Sequence, residues 1–109
     1  MATLPERAIL DLRKIEDYCL NLDHPRGRHK ARVFRDALGL TRSDTSWLRT
    51  TLLDALPKSH AVETVSDVYG HRWRGDIAIA RQERRAVGRT VWMQPMNEDL
   101  LKFVTCWVL

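Results

Sequence analysis

The chain has 109 residues, 44% of them hydrophobic, which suits one globular domain over residues 1–109 and excludes two separate cores. Its formal net charge is +4, and arginine supplies most of the positive charge. No apolar stretch approaches the roughly 20 residues of a membrane span and no leader pattern surrounds Pro5, so we expect a cytoplasmic protein without a membrane partner.

The first half of the chain has the apolar spacing of three successive helices. The first is predicted to begin at Pro5, a residue that suits a first helical turn. Its apolar face would comprise Ala8, Ile9, Leu12, Ile15 and Leu20. Pro25 and Gly27 interrupt the pattern before a second helix over residues 28–38, and a third helix would end at Pro57.

The second half changes to the two-residue period of β-strands. In "HRWRGDIAIA", alternate residues from His71 to Ile79 are predicted to face one side. The flanking segments and "KFVTCWVL" are rich in β-branched residues, and Tyr69–Gly70 and "RQERR" are the predicted hairpin turns. The expected fold is α+β, with three N-terminal helices packed on a four-stranded antiparallel β-meander.

The segment "DHPRGRHKARVF" is the first candidate site because it places cations at a predicted helix start. The first N–H groups of a helix have no partners within it, and Gly27 lets the backbone approach a bound group. Arg26, Arg28 and Lys30 add full positive charge, which predicts a phosphate site. The alternative is an ordinary solvated helix start, since a charge pattern alone does not distinguish the two.

His24 is the residue of this segment that suits proton transfer near neutral pH, as a general acid or base. The alternative is a surface histidine whose ring caps a backbone group. The histidines and cysteines lack the ligand spacing of a zinc site, so neither a metal nor another cofactor is expected. Cys19 and Cys106 are expected to be buried thiols, with a disulfide as the alternative.

On the predicted strands, Arg89 is the unusual residue because it faces the same side as Val87 and Val91. A guanidinium between two valines needs a carboxylate or a phosphate as its partner. Thr105 lies in the middle of "FVTCW", where a β-branched residue is ordinary. The four tryptophans are expected to pack in or beside the core, and base stacking is the alternative for one of them.

The motifs "LNLDHPRGRHKARVF", "YG", "GRTVW" and a final "VT" resemble a family of small bacterial domains of unknown function, found alone or at the ends of polymorphic toxins. The resemblance runs from about Leu20 to Trp107. The order of helices followed by a meander is similar, more distantly, to the barnase/EndoU/colicin/RelE-like (BECR) ribonuclease fold. The chain departs from the family where residues 101–102 replace Pro-Arg and residues 106–107 replace Ala-Tyr.

The resemblance implies a toxin-like, metal-independent endoribonuclease that acts on RNA such as tRNA or mRNA. The implied catalytic residues are His24, Lys30, Arg89 and Thr105. The expected phosphate-binding residues are Gly27, Thr90 and Lys102 from the resemblance, together with Arg26 and Arg28 from their charge beside the helix start. His24 would transfer a proton, Lys30 and Arg89 would stabilise charge on the phosphate, and Thr105 would position it. Lysine at 102 would orient a phosphate less tightly than the family's arginine.

Two other interpretations stay open. The chain could be a non-catalytic basic module that binds nucleic acid or an acidic protein, or a phage- or toxin-associated interaction protein that uses the fold as a scaffold. A toxin would also have a small acidic antitoxin or immunity protein as its partner. The apolar strand that ends in "CWVL" would allow a homodimer if its edge were bare.

Overall fold

One five-stranded mixed sheet carries the helices on its buried face, and the computed structural model of the chain describes residues 3–109. The strands are β1 (Arg7–Ile9), β2 (Val62–Asp67), β3 (Gly70–Arg81), β4 (Arg84–Pro95) and β5 (Leu100–Val108). The helices are α1 (Leu12–Lys14), α2 (Arg28–Leu38) and α3 (Thr45–Ala55). A π-helical turn (Ile15–Cys19) follows α1, and 3-10 turns (Arg42–Asp44 and Leu56–Lys58) flank α3.

The sheet order is β1-β5-β4-β3-β2. Strands β2 to β5 are paired antiparallel in succession, as the meander predicts, whereas β1 pairs parallel with β5. The α+β class is therefore confirmed, but the expectation of a four-stranded, wholly antiparallel sheet is wrong. The first three residues of β5, Leu100–Lys102, are not at an edge because β1 pairs with them, and α2 packs against β5 as well.

The helix expected to begin at Pro5 is replaced by β1 and a later helical segment. Arg7 pairs with Leu100 and Ile9 with Lys102. Helical backbone begins only at Leu12, where the Asp11 carboxylate accepts the N–H of Arg13 at 3.0 Å. A short apolar run is compatible with either a strand or a helix. Here the residues form a strand because they pair with β5 at the far end of the chain.

Helix α2 spans the residues that its pattern predicts. It buries Ala31, Phe34 and Leu38, and Gly39 ends it with the left-handed φ of 70°. Helix α3 buries Leu48 and Leu52 against the same core.

Strands β3 and β4 supply the other wall of the core. Trp73, Ile77 and Ile79 are buried, and the residues that alternate with them are exposed, which confirms the alternation predicted for β3. On β4, Trp92 is fully buried and meets the Phe103 ring edge-on at 5.2 Å between ring centroids. Trp73 and Trp92 lie in the core, Trp47 packs against it, and Trp107 is partly exposed.

An irregularity in β5 shapes the region beside α2. Val91 on β4 pairs with Thr105, but its neighbour Trp92 pairs with Phe103, so Val104 is an extra residue of β5. Such a bulge bends the strand and redirects the side chains around it. Thr105 is thereby close enough to α2 to contact Lys30.

The β3–β4 hairpin is fastened to the start of α3 by Arg81. Its Nη2 lies 2.8 Å from Asp44 Oδ1, and its guanidinium lies 5.1 Å from the centre of the Trp47 ring. Asp44 Oδ2 also accepts the backbone N–H of Thr41 at 2.9 Å. The Thr41 hydrogen bond and Arg81 together lower the pKa of Asp44 below its ordinary 3.8.

Acid is expected to abolish the stabilisation that Asp44 provides. Because its folded-state pKa lies below 3.8, the ionised carboxylate stabilises the fold above about pH 4, and this contribution disappears as the pH falls through the folded-state value. Thermal unfolding of the wild type and Asp44→Asn should therefore show a clear difference at pH 6 that shrinks towards pH 2. A difference that stayed constant over this range would show that the charge of Asp44 contributes nothing.

Candidate functional site

A cleft of about 710 Å³ lies where α1, the π-helical turn and the start of α2 meet β5. The residues that line it are Asp11, Arg13, Lys14, Asp17, Tyr18, His24, Lys30, Val104 and Thr105. The structure thus brings together three of the four residues predicted to be catalytic, His24, Lys30 and Thr105. It leaves the fourth, Arg89, outside the cleft.

Lys30 is the central cation of the cleft. Its Nζ donates a hydrogen bond to Thr105 Oγ1 at 3.1 Å, and it lies 5.0 Å from the centre of the Tyr18 ring and 5.1 Å from that of Trp107. Among residues 3–109, no carboxylate forms an ion pair with it. The aromatic faces favour the ammonium without using its N–H groups, so Lys30 keeps donors for an anionic ligand.

His24 both caps its own loop and lines the cleft. Its Nδ1 accepts the backbone N–H groups of Arg26 at 3.0 Å and Gly27 at 2.9 Å. A ring nitrogen that accepts hydrogen bonds carries no proton, so the proton of the neutral ring is on Nε2. The ring meets Tyr18 edge-on, with 4.7 Å between centroids. The ring orientation is therefore fixed from two sides.

The backbone N–H groups at the start of α2 already have partners. Besides the two that His24 Nδ1 accepts, the N–H of Arg28 donates to the His24 carbonyl at 3.0 Å. Gly27 serves close packing, because a Cβ on it would lie only 2.3 Å from the carbonyl oxygen of Tyr18. The predicted phosphate seat at this helix start therefore has no free amide at residues 26–28. Arg26 and Arg28 are exposed and do not line the cleft.

Thr90, predicted to bind phosphate, lies in the core. It is fully buried, its hydroxyl donates to the carbonyl of Gly75 at 2.6 Å, and it accepts the indole N–H of Trp92 at 2.8 Å. These two bonds satisfy the hydroxyl and keep it away from any ligand. The sequence placed Thr90 and Arg89 on opposite faces of β4, and Thr90 is on the face that the helices cover.

Arg89 and Lys102 lie on the sheet face that the helices do not cover. Arg89 forms a two-pronged ion pair with Asp76, at 2.9 Å from Nε to Oδ1 and 3.0 Å from Nη2 to Oδ2. The Asp76 carboxylate is thus the charged partner that the Arg89 guanidinium needs in its position between two valines. Arg89 is the first cause of the lowered pKa of Asp76. Lys102 is exposed and pairs across the strands with Met93.

Sequence reasoning missed two aromatic residues of the site. Tyr18 contacts both His24 and Lys30, and its only signal was its place just before the "LNLDHP" motif. Trp107 was expected to pack in or beside the core, but its ring lies against the Lys30 ammonium. Base stacking was the alternative for one tryptophan, and Trp107 is the one placed beside the cleft.

The two cysteines lie beneath the cleft as free, buried thiols, as the sequence predicts. A hydrogen bond with Cys106 is the main cause that lowers the pKa of Cys19 to about 7, with smaller contributions from Thr105 and the charge of Lys30. The same hydrogen bond and complete burial raise the pKa of Cys106 well above its ordinary 9.0. Cys19 Sγ lies 3.9 Å from Thr105 Oγ1, so the thiol pair supports the hydroxyl that contacts Lys30.

The cleft therefore offers an unpaired ammonium, a hydroxyl and an imidazole N–H, which together suit a phosphate group. In the part of the chain that the structure describes, no three histidine, cysteine or acidic side chains are grouped to hold a metal ion. Within residues 3–109, no helix combines the length and the apolar character needed to cross a membrane.

A comparison with curated proteins found no match to this chain, and neither did a comparison with solved structures. A family profile, by contrast, matches residues 3–109, and its description is a domain of unknown function. This match is consistent with the expected membership in a family of domains of unknown function. The chain belongs to the family described as domain of unknown function DUF6883.

Proposed function

We propose that the chain is a toxin-like, metal-independent endoribonuclease and that the cleft around Lys30 is its active site. The observation that carries the proposal is the Lys30 ammonium, held by a hydroxyl and two aromatic rings with no carboxylate partner among the described residues. A cation kept unpaired in a concave site is suited to neutralise a phosphate. Similarity to the BECR ribonucleases is part of the same proposal and rests on the helix-then-meander order.

The chemistry is transesterification within the RNA chain. The 2′-oxygen attacks phosphorus, the bond to the 5′-oxygen breaks, and the products are a 2′,3′-cyclic phosphate and a free 5′-hydroxyl. The 2′-hydroxyl loses its proton to water and the 5′-oxygen gains one, so the step has no net change in protons and needs no oxidant or reductant. The phosphorane carries extra negative charge, which Lys30 would stabilise while Thr105 keeps the ammonium in place.

His24 would act in catalysis through Nε2. In the neutral ring this nitrogen carries the proton, because Nδ1 accepts two backbone N–H groups. Hydrogen-bond donation from Nε2–H to a phosphate or leaving oxygen therefore needs no rearrangement. Full proton transfer, as an acid from the imidazolium or as a base at Nε2, would need a proton on Nδ1 and would give up both capping bonds. The geometry accordingly favours Nε2–H as a hydrogen-bond donor to the charge that develops on the phosphate or the leaving oxygen.

A non-catalytic basic module is the second candidate, and a specific observation favours it. The ring of His24 is fully engaged in capping on one side, which is a sufficient structural reason for its presence. Such a module would bind RNA or an acidic protein through Lys30 and the neighbouring arginines. A small acidic antitoxin or immunity protein is a proposed partner in either case, because the cleft presents positive charge.

The test is incubation of the purified protein with total tRNA and with a single-stranded RNA in excess EDTA, with detection of 2′,3′-cyclic phosphate ends. His24→Asn is the informative variant, since its side-chain oxygen can accept the same two N–H groups while Nε2 is lost. We expect cleavage by the wild type and a reduction of about 10²- to 10⁴-fold in His24→Asn, with thermal stability retained.

His24→Ala serves as the matched control, because it removes both the cap and Nε2 and should also lower the melting temperature. Equal cleavage by the wild type and His24→Asn would assign His24 to capping alone. RNA binding by a folded wild type that releases no cyclic phosphate ends would establish the binding module instead.

A further inference from the structure

We propose that the sheet face opposite the helices binds single-stranded RNA and leads it to the cleft. The choice of RNA rests on the function proposed above. The face consists of the side chains of β3, β4 and β5 that alternate with the buried ones. Its arrangement is an apolar column on β4 with unpaired cations on both sides.

The apolar column consists of Val87, Val91 and Met93 on one side of β4, with the ion-paired Arg89 between the two valines. Val87 is 41% exposed, and the other two are partly exposed. Exposed apolar side chains in a row offer the faces of bases a surface on which to lie. The helices pack on the opposite face of the sheet and leave this row uncovered.

Cations flank this column in register. Met93 pairs with Arg72 on β3 and with Lys102 on β5, so one cation lies on each side of it. Val91 pairs with Arg74 on β3. The three cationic side chains are exposed and form no ion pair with any residue of the described range 3–109. They are therefore available to phosphates on either side of bound bases.

Negative charge is nearly absent from this face. Strands β3, β4 and β5 contain one acidic residue, Asp76, and the two-pronged ion pair with Arg89 neutralises it. Asp67, at the end of β2, accepts the backbone N–H of Tyr69 at 2.9 Å. The uncompensated charge of the face is thus positive, which complements a polyanion.

The face is continuous with the cleft through the end of β5. Trp107 pairs with Arg89 of this face, and Thr105 pairs with Val91 although the bulge at Val104 brings its hydroxyl to Lys30. The Lys30 ammonium contacts both of them from α2. RNA that lies along β4 can therefore place a phosphate at Lys30 with an adjacent base against Trp107. An acidic protein would need neither the apolar column nor the indole, which is why we choose RNA.

The test measures binding of a fluorescent 2′-O-methyl oligouridine of about ten nucleotides by anisotropy over a range of salt concentrations. The methyl group blocks the nucleophile, so the measurement is valid even if the chain cleaves no RNA. For Arg72→Ser/Arg74→Ser we expect affinity at least about 10-fold lower and a salt dependence reduced by about two charges.

The matched control is Arg32→Ser/Arg35→Ser, which removes two exposed charges from α2. It should change affinity by less than about 3-fold, because long-range charge alone is screened. Thermal unfolding checks that both variants fold. Equal affinity losses in the two variants would overturn the proposal, and so would competition by polyglutamate as effective as that by unlabelled RNA. If Arg72→Ser/Arg74→Ser loses RNA binding and the wild type cleaves no RNA, the ribonuclease proposal is contradicted and the proposed RNA-binding face is supported.

Discussion

Gly27→Ala is expected to lower the free energy of unfolding by about 3 kcal/mol or more. A Cβ at this position would lie 2.3 Å from the carbonyl oxygen and 3.0 Å from the carbonyl carbon of Tyr18. Both are backbone atoms of the π-helical turn, so the clash is relieved only if the turn and α2 move apart. The φ of Gly27 is an ordinary −78°, so the effect comes from steric overlap and not from backbone strain.

Gly39→Ala is the matched control, since it makes the same change at the other end of α2. Gly39 has a φ of 70°, where alanine is strained by about 1 kcal/mol, and its Cβ would meet only the flexible side chain of Arg84, at 3.3 Å. Urea unfolding of both variants gives the comparison. If Gly27→Ala lowers the free energy of unfolding no more than Gly39→Ala does, the π-helical turn moves at little cost. Close packing at Gly27 is then not needed to stabilise the cleft.

The difference between these two glycines also shows what the sequence can predict. Gly39 follows an apolar 3.6-residue pattern and marks a helix end by local rules alone, so α2 was predicted with its observed bounds. The sequence predicts that Gly27 lets the backbone approach a ligand. In the structure Gly27 lies instead against Tyr18, because the π-helical turn packs against α2. No local sequence pattern predicts that contact.

The same distinction explains the first strand. Residues 7–9 carry apolar spacing that a helix and a strand share, and the partner that decides between them lies more than 90 residues later in β5. The alternation of β3, by contrast, is a local signal of 12 residues and was predicted correctly. Long-range pairing is therefore what the sequence reasoning lacked.

For the candidate site, the sequence analysis named three residues that line one cleft but did not predict how they are arranged. Lys30 and Thr105 were both predicted, and they are hydrogen-bonded although 75 positions separate them. Their contact depends on the extra residue Val104 in β5, which shifts the register by one position. Arg89 was placed on the same face as its two valine neighbours, but it does not line the cleft and its guanidinium is paired with Asp76.

Lys30→Met is expected to reduce RNA cleavage by about 10²- to 10³-fold. Methionine retains the unbranched apolar stem that lies between Tyr18 and Trp107, so it can still fill that space. The charge and the N–H donors are lost, and with them the stabilisation of the phosphorane. The melting temperature should change by only a few degrees, which separates a catalytic from a structural role.

Two further variants sharpen this prediction. Lys30→Arg keeps the charge, but its planar fork cannot reproduce the single bond to Thr105 Oγ1, so we expect partial activity. Thr105→Val removes the hydroxyl at nearly constant volume and should leave the charge misplaced, with cleavage reduced by about 10-fold. Initial rates on one RNA at saturating and subsaturating concentrations measure all three variants. Wild-type rates in Lys30→Met would show that phosphate charge is neutralised elsewhere, and the cleft would lose its assignment as the active site.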